Sequence, residues 1–331
     1  MASHAPRPTD GWLATPPPDA QLDRGPLPAR VGNILVGTAS WTEKTLIASR
    51  AFYPATANTP EKRLRYYARH FPVVEVDATY YALPSVANAR VWAERTPPDF
   101  VFGVKAYAAL TGHPIEPVRL DRDLQRRLPS ALRTQRRVYP PDLPEEFRNA
   151  LWEHFHAALA PLREAGKLGY VLFQMPRWFT PTRANAAELG AISARLPGAP
   201  IAVEFRQSGW MAGDRQERTL QFLRDRGLIY VSVDEPQGTP ASVPPLAAAT
   251  SDDLAVVRFH GRRTATWTKP GATTTERFGY LYSKDELREW TPKLRDLAKR
   301  TRQVHVLMNN CHRQSAVTNA KDLAELLAAE G

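Results

Sequence analysis

Eight short apolar runs, spaced along a 331-residue chain with helical patterning between most of them, set the strongest limit on what this sequence can fold into. The runs are Ile34–Thr38, Val73–Asp77, Val101–Lys105, Tyr170–Gln174, Ile201–Phe205, Leu228–Val233, Ala255–His260 and Val304–Asn309. Each is bounded by breakers and rich in β-branched or aromatic residues, as buried strands are. Between them, Thr59-Pro60 offers an N-cap with proline at the first helical position. Phe147, Leu151, Phe155, Leu159 and Leu162 recur at helical spacing. Ser283 to Glu286 reads as a capping box ahead of Leu287, Trp290, Leu294 and Leu297, with Pro292 expected to kink or interrupt that helix. A last helix places Leu323, Leu326 and Leu327 on one side. Parallel neighbours need a crossover connection, so the alternation indicates a parallel sheet.

A closed barrel and an open doubly wound sheet both satisfy that pattern. Closure is favoured because several runs carry polar or charged residues at their last positions. In addition, Gly37-Thr-Ala-Ser-Trp41 after the first run has one glycine where a dinucleotide fingerprint needs three. The expected fold is therefore α/β, a single (β/α)₈ TIM barrel over residues 31–331. Residues 1–30, proline-rich around Pro16-Pro17-Pro18 and without apolar periodicity, read as a disordered arm. An insertion over 115–142 follows the third strand. Between Arg119 and Arg137 it holds seven arginines (119, 122, 126, 127, 133, 136 and 137) against Asp121 and Asp123. It reads equally as an anion-gathering lid or as a solvated loop.

Composition narrows the function classes. Hydrophobic residues make up 43% of the chain, enough for a real core. No apolar run reaches the ~20 residues a membrane span needs, and no secretory pattern opens the chain. One cysteine, Cys311, allows neither an intrachain disulfide nor a thiolate cluster for zinc. A cytoplasmic location is expected. The net charge of +10 attracts anions without choosing among them.

In a barrel, residues at the C-terminal strand ends converge on one mouth. The sequence puts there Ser40 and Trp41; Glu75, Asp77, Thr79 and Tyr80; Lys105, followed by His113; Gln174; Glu204 and Arg206; Asp234; Arg258, His260 and Arg262; Asn309 and Asn310. Period-two alternation sharpens this. Glu75 with Asp77, Glu204 with Arg206, and Arg258 with His260 each share one strand face, opposite apolar residues that would pack on helices. A structural ion network is the bland reading for any one of them; the set together points to a ligand site.

The expected roles are Glu204 as general acid or base, His260 as its proton-transfer partner and Glu75 beside them. Arg206, Arg258 and Arg262 would clamp an anionic group. Asp77, Lys105, Gln174, Asp234, Asn309 and Asn310 would orient a polar, sugar-like or anionic small molecule, with Trp41 and Tyr80 as aromatic wall. Glu204→Gln is expected to abolish turnover with little loss of fold. Metal-ligand spacing is absent: His70, His154, His156 and His305 fall outside the mouth, and no His-Glu-x-x-His occurs. No cofactor and no oligomeric state is indicated. Nucleic-acid binding or metal-assisted phosphodiester cleavage, and non-catalytic ligand binding, are the alternatives.

At these residues the sequence resembles the YecE-like family, domain-of-unknown-function family 72. The resemblance is carried by Gly37-Thr-Ala-Ser-Trp41, Phe52-Tyr-Pro54, Val74-Glu-Val-Asp-Ala-Thr-Tyr-Tyr81, Leu83-Pro84, Trp92, Phe102 with Lys105, Thr111 with His113, Gln174-Met-Pro176, Val203-Glu-Phe-Arg206 with Trp210, Arg258-Phe-His-Gly-Arg262, Tyr280 with Tyr282, Asn309-Asn310 and Asn319-Ala320. Their order and spacing are specific from about Ile34 to Leu327. The resemblance implies a (β/α)₈ barrel similar to the endonuclease-IV and xylose-isomerase barrels. It supplies no reaction, and the metal sets of those enzymes have no residue-by-residue counterpart here. Ala39-Ser40 and Asp77-Ala78 depart from the usual Ser-Gly and Asn-Ser, and the 115–142 segment is longer than in typical members.

Overall fold

The computed structural model describes residues 29–329, so the expected N-terminal arm lies, but for its last two residues, outside the described residues. Nine strands form one sheet: β1 (Arg30–Val31), β2 (Ile34–Thr38), β3 (Val73–Val76), β4 (Val101–Lys105), β5 (Leu168–Gln174), β6 (Ile201–Glu204), β7 (Leu228–Asp234), β8 (Leu254–Phe259) and β9 (Gln303–Met308). Strands β2 to β9 run parallel in chain order. The barrel closes where β9 pairs with β2, from Ile34 opposite Val304 to Thr38 opposite Met308. All eight apolar runs are thus barrel strands, each within two residues of its expected bounds. Strand β1 turns back antiparallel on β2 through Gly32, whose φ of 58° suits glycine.

Helices cover the outer face because crossover connections return each chain segment to the bottom of the sheet. Thr59 caps the helix Pro60–Tyr67 by accepting from the Lys62 amide. Phe147, Leu151, Phe155, Leu159 and Leu162 are all buried along the helix Glu145–Glu164. Ser283 and Glu286 form the expected capping box. Pro292 sits in the first turn of Thr291–Arg300, where the preceding helix Lys284–Arg288 has already ended. The β7–β8 connection differs. Residues 235–253 hold Pro236, Pro240, Pro244 and Pro245 and form no helix, as residues lacking the amide donor dictate.

The 115–142 insertion is neither loose nor solvated throughout. Ile115 pairs with Val138 at its base. Two short helices, Arg122–Arg127 and Ser130–Arg133, follow, and Leu120, Leu124 and Leu128 are buried, with the first helix packed on Glu145–Glu164. Four of its arginines are engaged within it: Arg119 with Glu116, Arg126 and Arg127 with Asp123, and Arg133 with the carbonyls of Leu128 and Arg126.

Inside the barrel the packing makes room for polar groups at one place. Gly103 on β4 has no side chain because the Tyr170 ring from β5 lies where a Cβ would stand. That ring carries its hydroxyl across to β3, to Glu75.

Candidate functional site at the barrel mouth

The inward charges form two layers. In the deeper one, Arg258 reaches across the barrel to Glu75 Oε1 at 2.6 Å and Glu204 Oε2 at 2.5 Å, and Tyr170 donates to Glu75 Oε2 at 3.0 Å. Glu75, Glu204 and Arg258 are at most 1% exposed. Burial alone would lift the Glu204 carboxyl, but Arg206, Arg258 and His260 outweigh it and hold it well below the usual carboxylate range. Such charges are tolerable in a barrel interior only because each has a partner.

Arg206 links this layer to the mouth. Its Nε lies 2.6 Å from Glu204 Oε1, its Nη1 donates to Glu235 at 2.8 Å, and its Nη2 lies 3.0 Å from His260 Nε2. Burial, reinforced by Arg206, pushes His260 down to about 3, so the ring is neutral. A neutral ring has one N–H, so Nε2 either donates to Glu204, 3.3 Å away, or accepts from Arg206. Asn309 Nδ2 approaches the other ring nitrogen at 2.9 Å.

Above Arg206 opens a cavity of about 500 Å³. Its floor is made by Asp77 beyond β3, Lys105 at the end of β4, Gln174 at the end of β5, Arg206 after β6 and Asn309 after β9. Glu43, Tyr80, Tyr81, His113, Arg177, Trp178, Trp267, Arg277 and Phe278 are among the other residues that line it. Lys105 donates to Gln174 Oε1 at 3.0 Å and stands 4.7 Å over the Tyr80 ring. Burial, then repulsion from Arg258, lowers it to about 8 against the pull of Glu75, Glu204 and Asp77. Burial raises Asp77 to about 6 although Lys105 opposes it. His113, bonded to Thr111 Oγ1, is pushed by burial and then by Lys105 down to about 4.

Among the described residues, Arg177 and Arg277 donate only to carbonyls, those of Trp267 and Lys269. Burial and then the like charges of Arg277 and Arg206 lower the Arg177 guanidinium. Arg206 and Arg177 both stand over the Trp267 ring, at 5.0 and 5.9 Å. Among the described residues no carboxylate comes within 4.0 Å of Lys105, Arg177 or Arg277. None of their groupings of His, Cys, Asp and Glu side chains is arranged to hold a metal ion.

The family model for the protein of unknown function DUF72 matches residues 35–331. The chain belongs to the DUF72 family. A curated relative, the UPF0759 protein YunF of Bacillus subtilis (strain 168), is 35% identical over 300 residues, covering 90% of this chain and 95% of its own. A DUF72 structure from Thermotoga maritima MSB8 is 30% identical with a TM-score of 0.69, covering 89% of this chain and 99% of that one. One from Enterococcus faecalis V583 is 26% identical with a TM-score of 0.71, covering 89% and 95%. The resemblance read from the motifs is thus met by the family model, and the barrel by its solved members.

In this DUF72 barrel, Asp77, Tyr80, Lys105, Gln174, Arg206 and Asn309 line one cavity, with Glu75, Glu204, Arg258 and His260 beneath it. Four other residues given a binding role, Trp41, Asn310, Asp234 and Arg262, lie elsewhere, and Ser40 and Thr79 do not line the cavity either. Trp41 is buried edge-on against Trp92 and Phe102. Asn310 donates to Tyr280 O and Asn319 Oδ1. Asp234 accepts from Tyr282 Oη and Trp290 Nε1, both at 2.7 Å, and from Arg262, which continues to Glu289. Register explains Asp234. Tyr230 pairs with Val203 and Ser232 with Val257, both neighbours of the inward Glu204 and Arg258, so Asp234 two residues further on takes the helix-facing side.

One residue later, Glu235 points inward to Arg206, and strand alternation read through to that position is the signal that finds it. Arg177 follows the Gln174-Met-Pro turn, and Arg277 sits far along the β8–β9 connection; neither carries a periodic signal. Part of the insertion, including Arg119, Arg137 and Tyr139, lines a second cavity of about 380 Å³ that shares Tyr80, Tyr81, His113 and Trp178 with the first.

Proposed function

We propose that this DUF72 protein is an enzyme that performs acid/base chemistry on a small anionic substrate in the barrel mouth. The observation that carries the reading is the cluster Lys105, Arg177 and Arg277: three cations in one cavity, none of them ion-paired among the described residues although Asp77 and Glu43 also line it. Like charges gathered in one cavity are unfavourable unless an anion joins them, and guanidinium forks suit carboxylate or phosphate. Asp77 and Lys105 supply the acid and the base, since burial moves both towards neutral pH from opposite sides. The aromatic walls Tyr80 and Trp267 suit a sugar or other flat ring carried by the same substrate.

Glu204, His260 and Glu75 take a different part from the one their residue types suggest. Glu204 is held ionised by two arginines, His260 is neutral, and neither is exposed. They position Arg206 and Arg258 and do not touch substrate. Glu204→Gln then lowers stability as well as turnover. The insertion arginines support the small-anion reading over a nucleic-acid face, since four of the seven are engaged within the insertion.

Thermal unfolding in phosphate, citrate and malonate at constant ionic strength tests the reading. An anion that binds the folded state raises Tm. The expected result is a concentration-dependent rise that chloride does not reproduce and that Arg177→Gln with Arg277→Gln removes. No anion-specific rise, or one unchanged in the double variant, sinks it. Tight oligonucleotide binding that weakens steeply with salt favours the nucleic-acid alternative.

A further inference from the structure

We infer that Lys105 is a nucleophilic amine that forms an imine with a small carbonyl compound whose carboxylate or phosphate group is held by Arg177 and Arg277. This rests on the anion reading above and adds the reacting atom and the substrate class.

Two lysines stand apart from those at the surface, Lys167 buried and Lys105 half-buried. Lys167 Nζ donates to Ala93 O at 2.5 Å, Thr96 O at 2.7 Å and Thr96 Oγ1 at 3.1 Å. All three ammonium protons are used and the group is fixed as a cation within the structure. Burial lowers the affinity of both lysines for their proton, so that property does not separate them. Geometry does. Lys105 gives one proton to the neutral Gln174 Oε1, lies against the Tyr80 ring and lines the 500 Å³ cavity. Glu75 and Glu204, the carboxylates that pull most on it, are directed at Arg258 instead.

A lysine without an ion-pair partner, desolvated and close to another cation, is how an amine is kept neutral and reactive. The displacement to about 8 raises its neutral fraction at neutral pH by roughly two orders of magnitude. The Thr79 hydroxyl, 2.5 Å from the Lys105 carbonyl and 2.8 Å from that of Val76, ties the end of its strand to the end of β3.

The step balances without a redox partner. The nitrogen lone pair adds to the carbonyl carbon, and a proton passes from nitrogen to the alkoxide to give a carbinolamine. Asp77 in its acid form protonates that hydroxyl, which leaves as water, and the nitrogen lone pair closes the C=N bond as an iminium. Asp77 is left as a carboxylate beside the new cation. The net change is the loss of one water. Hydration returns the amine and the carbonyl compound.

Two probes distinguish the anion types: pyruvate, a carboxylate, and dihydroxyacetone phosphate, a phosphate. Each is incubated with the whole protein, reduced with borohydride, and read by intact mass and peptide mapping. The expected result is one stable adduct on Lys105 with at least one probe, absent in Lys105→Arg, which keeps the charge and cannot form the imine, and absent in Lys105→Met. Trace acetylation without any ligand should show Lys105 reacting faster than the surface lysines near pH 8. No adduct with either probe, or adducts spread over surface lysines and retained in Lys105→Arg, overturns the inference. If the probes still raise Tm in an Arg177- and Arg277-dependent way, the anion site stands without the imine. If neither adduct nor Tm rise occurs, both readings fall.

Discussion

The two layers of charge inside this barrel differ in how their charges are partnered. Below, Glu75 and Glu204 are unexposed and paired with Arg258, and Glu204 with Arg206 as well. Above, Lys105, Arg177 and Arg277 meet carbonyl and amide oxygens but, among the described residues, no carboxylate. The contrast teaches that an inward charge on a barrel strand is not by itself a site. What marks the site is a charge whose partner the protein does not supply. The deep layer is a scaffold whose removal should cost stability; the upper layer is a liability of the free protein whose removal should cost binding.

The sharpest way to break that division is Arg258→Leu. It strands Glu75 and Glu204 in the barrel interior, and removing one member of a buried ion network costs about 3–5 kcal/mol. Urea unfolding should show the loss in full. A variant within 1 kcal/mol of the parent would mean that water or protonation relieves the layer, and the division would fail.

Asp234 sharpens the comparison from outside. Asp234→Ala leaves the Tyr282 hydroxyl, the Trp290 indole N–H and Arg262 without their shared acceptor, at a cost of about 2–3 kcal/mol. Anion affinity, read by titration calorimetry, should stay unchanged, because none of these groups lines the cavity. A fall in affinity with intact stability would place Asp234 in the site after all.

These residues also show how far the sequence can be read. The barrel was legible because parallel strands, buried on both faces, leave unbroken apolar runs, and breakers mark their ends. Period two correctly grouped Glu75, Glu204 and Arg258, since alternation is a property of one strand. It did not say which side of β7 faces in, because Tyr230, Ser232 and Asp234 look as fit for an interior as Val231 and Val233 do; only pairing with β6 and β8 decides. Arg177 and Arg277 were illegible because they stand on connections, where no periodicity ties residue number to direction. The state of charge compensation is a property of distances between strands, and no single run contains it.

Arg177→Gln inverts the expectation for Arg258. It removes a cation already crowded by Arg277 and Arg206, so stability should hold or rise slightly. Affinity for phosphate or malonate should fall about tenfold, roughly the 1.4 kcal/mol expected for losing one charge-assisted hydrogen bond. A stability loss comparable to that of Arg258→Leu would make Arg177 part of the scaffold and erase the distinction.

The effect spread over the widest range of conditions is a pair of pH slopes of opposite sign. Asp77 is raised from 3.8 to about 6, so between those values the folded state holds more protons than the unfolded chain, and stability falls as pH rises through that window. Lys105 is lowered from 10.5 to about 8, so there the unfolded chain holds more protons, and stability rises with pH between them. The two cavity groups therefore leave the protein least favoured between about pH 6 and 8, the range in which a bound anion would relieve Lys105. Glu204 has the contrary acid slope: it is held low, so its contribution is present above the ordinary carboxylate range and is lost as pH falls below it. Urea unfolding from pH 4 to 10 should show Asp77→Asn losing the acid-side decline and Lys105→Met losing the alkaline rise. Profiles identical to the parent in both variants would mean that the cavity groups titrate as in water, and the strain assigned to the upper layer would not exist.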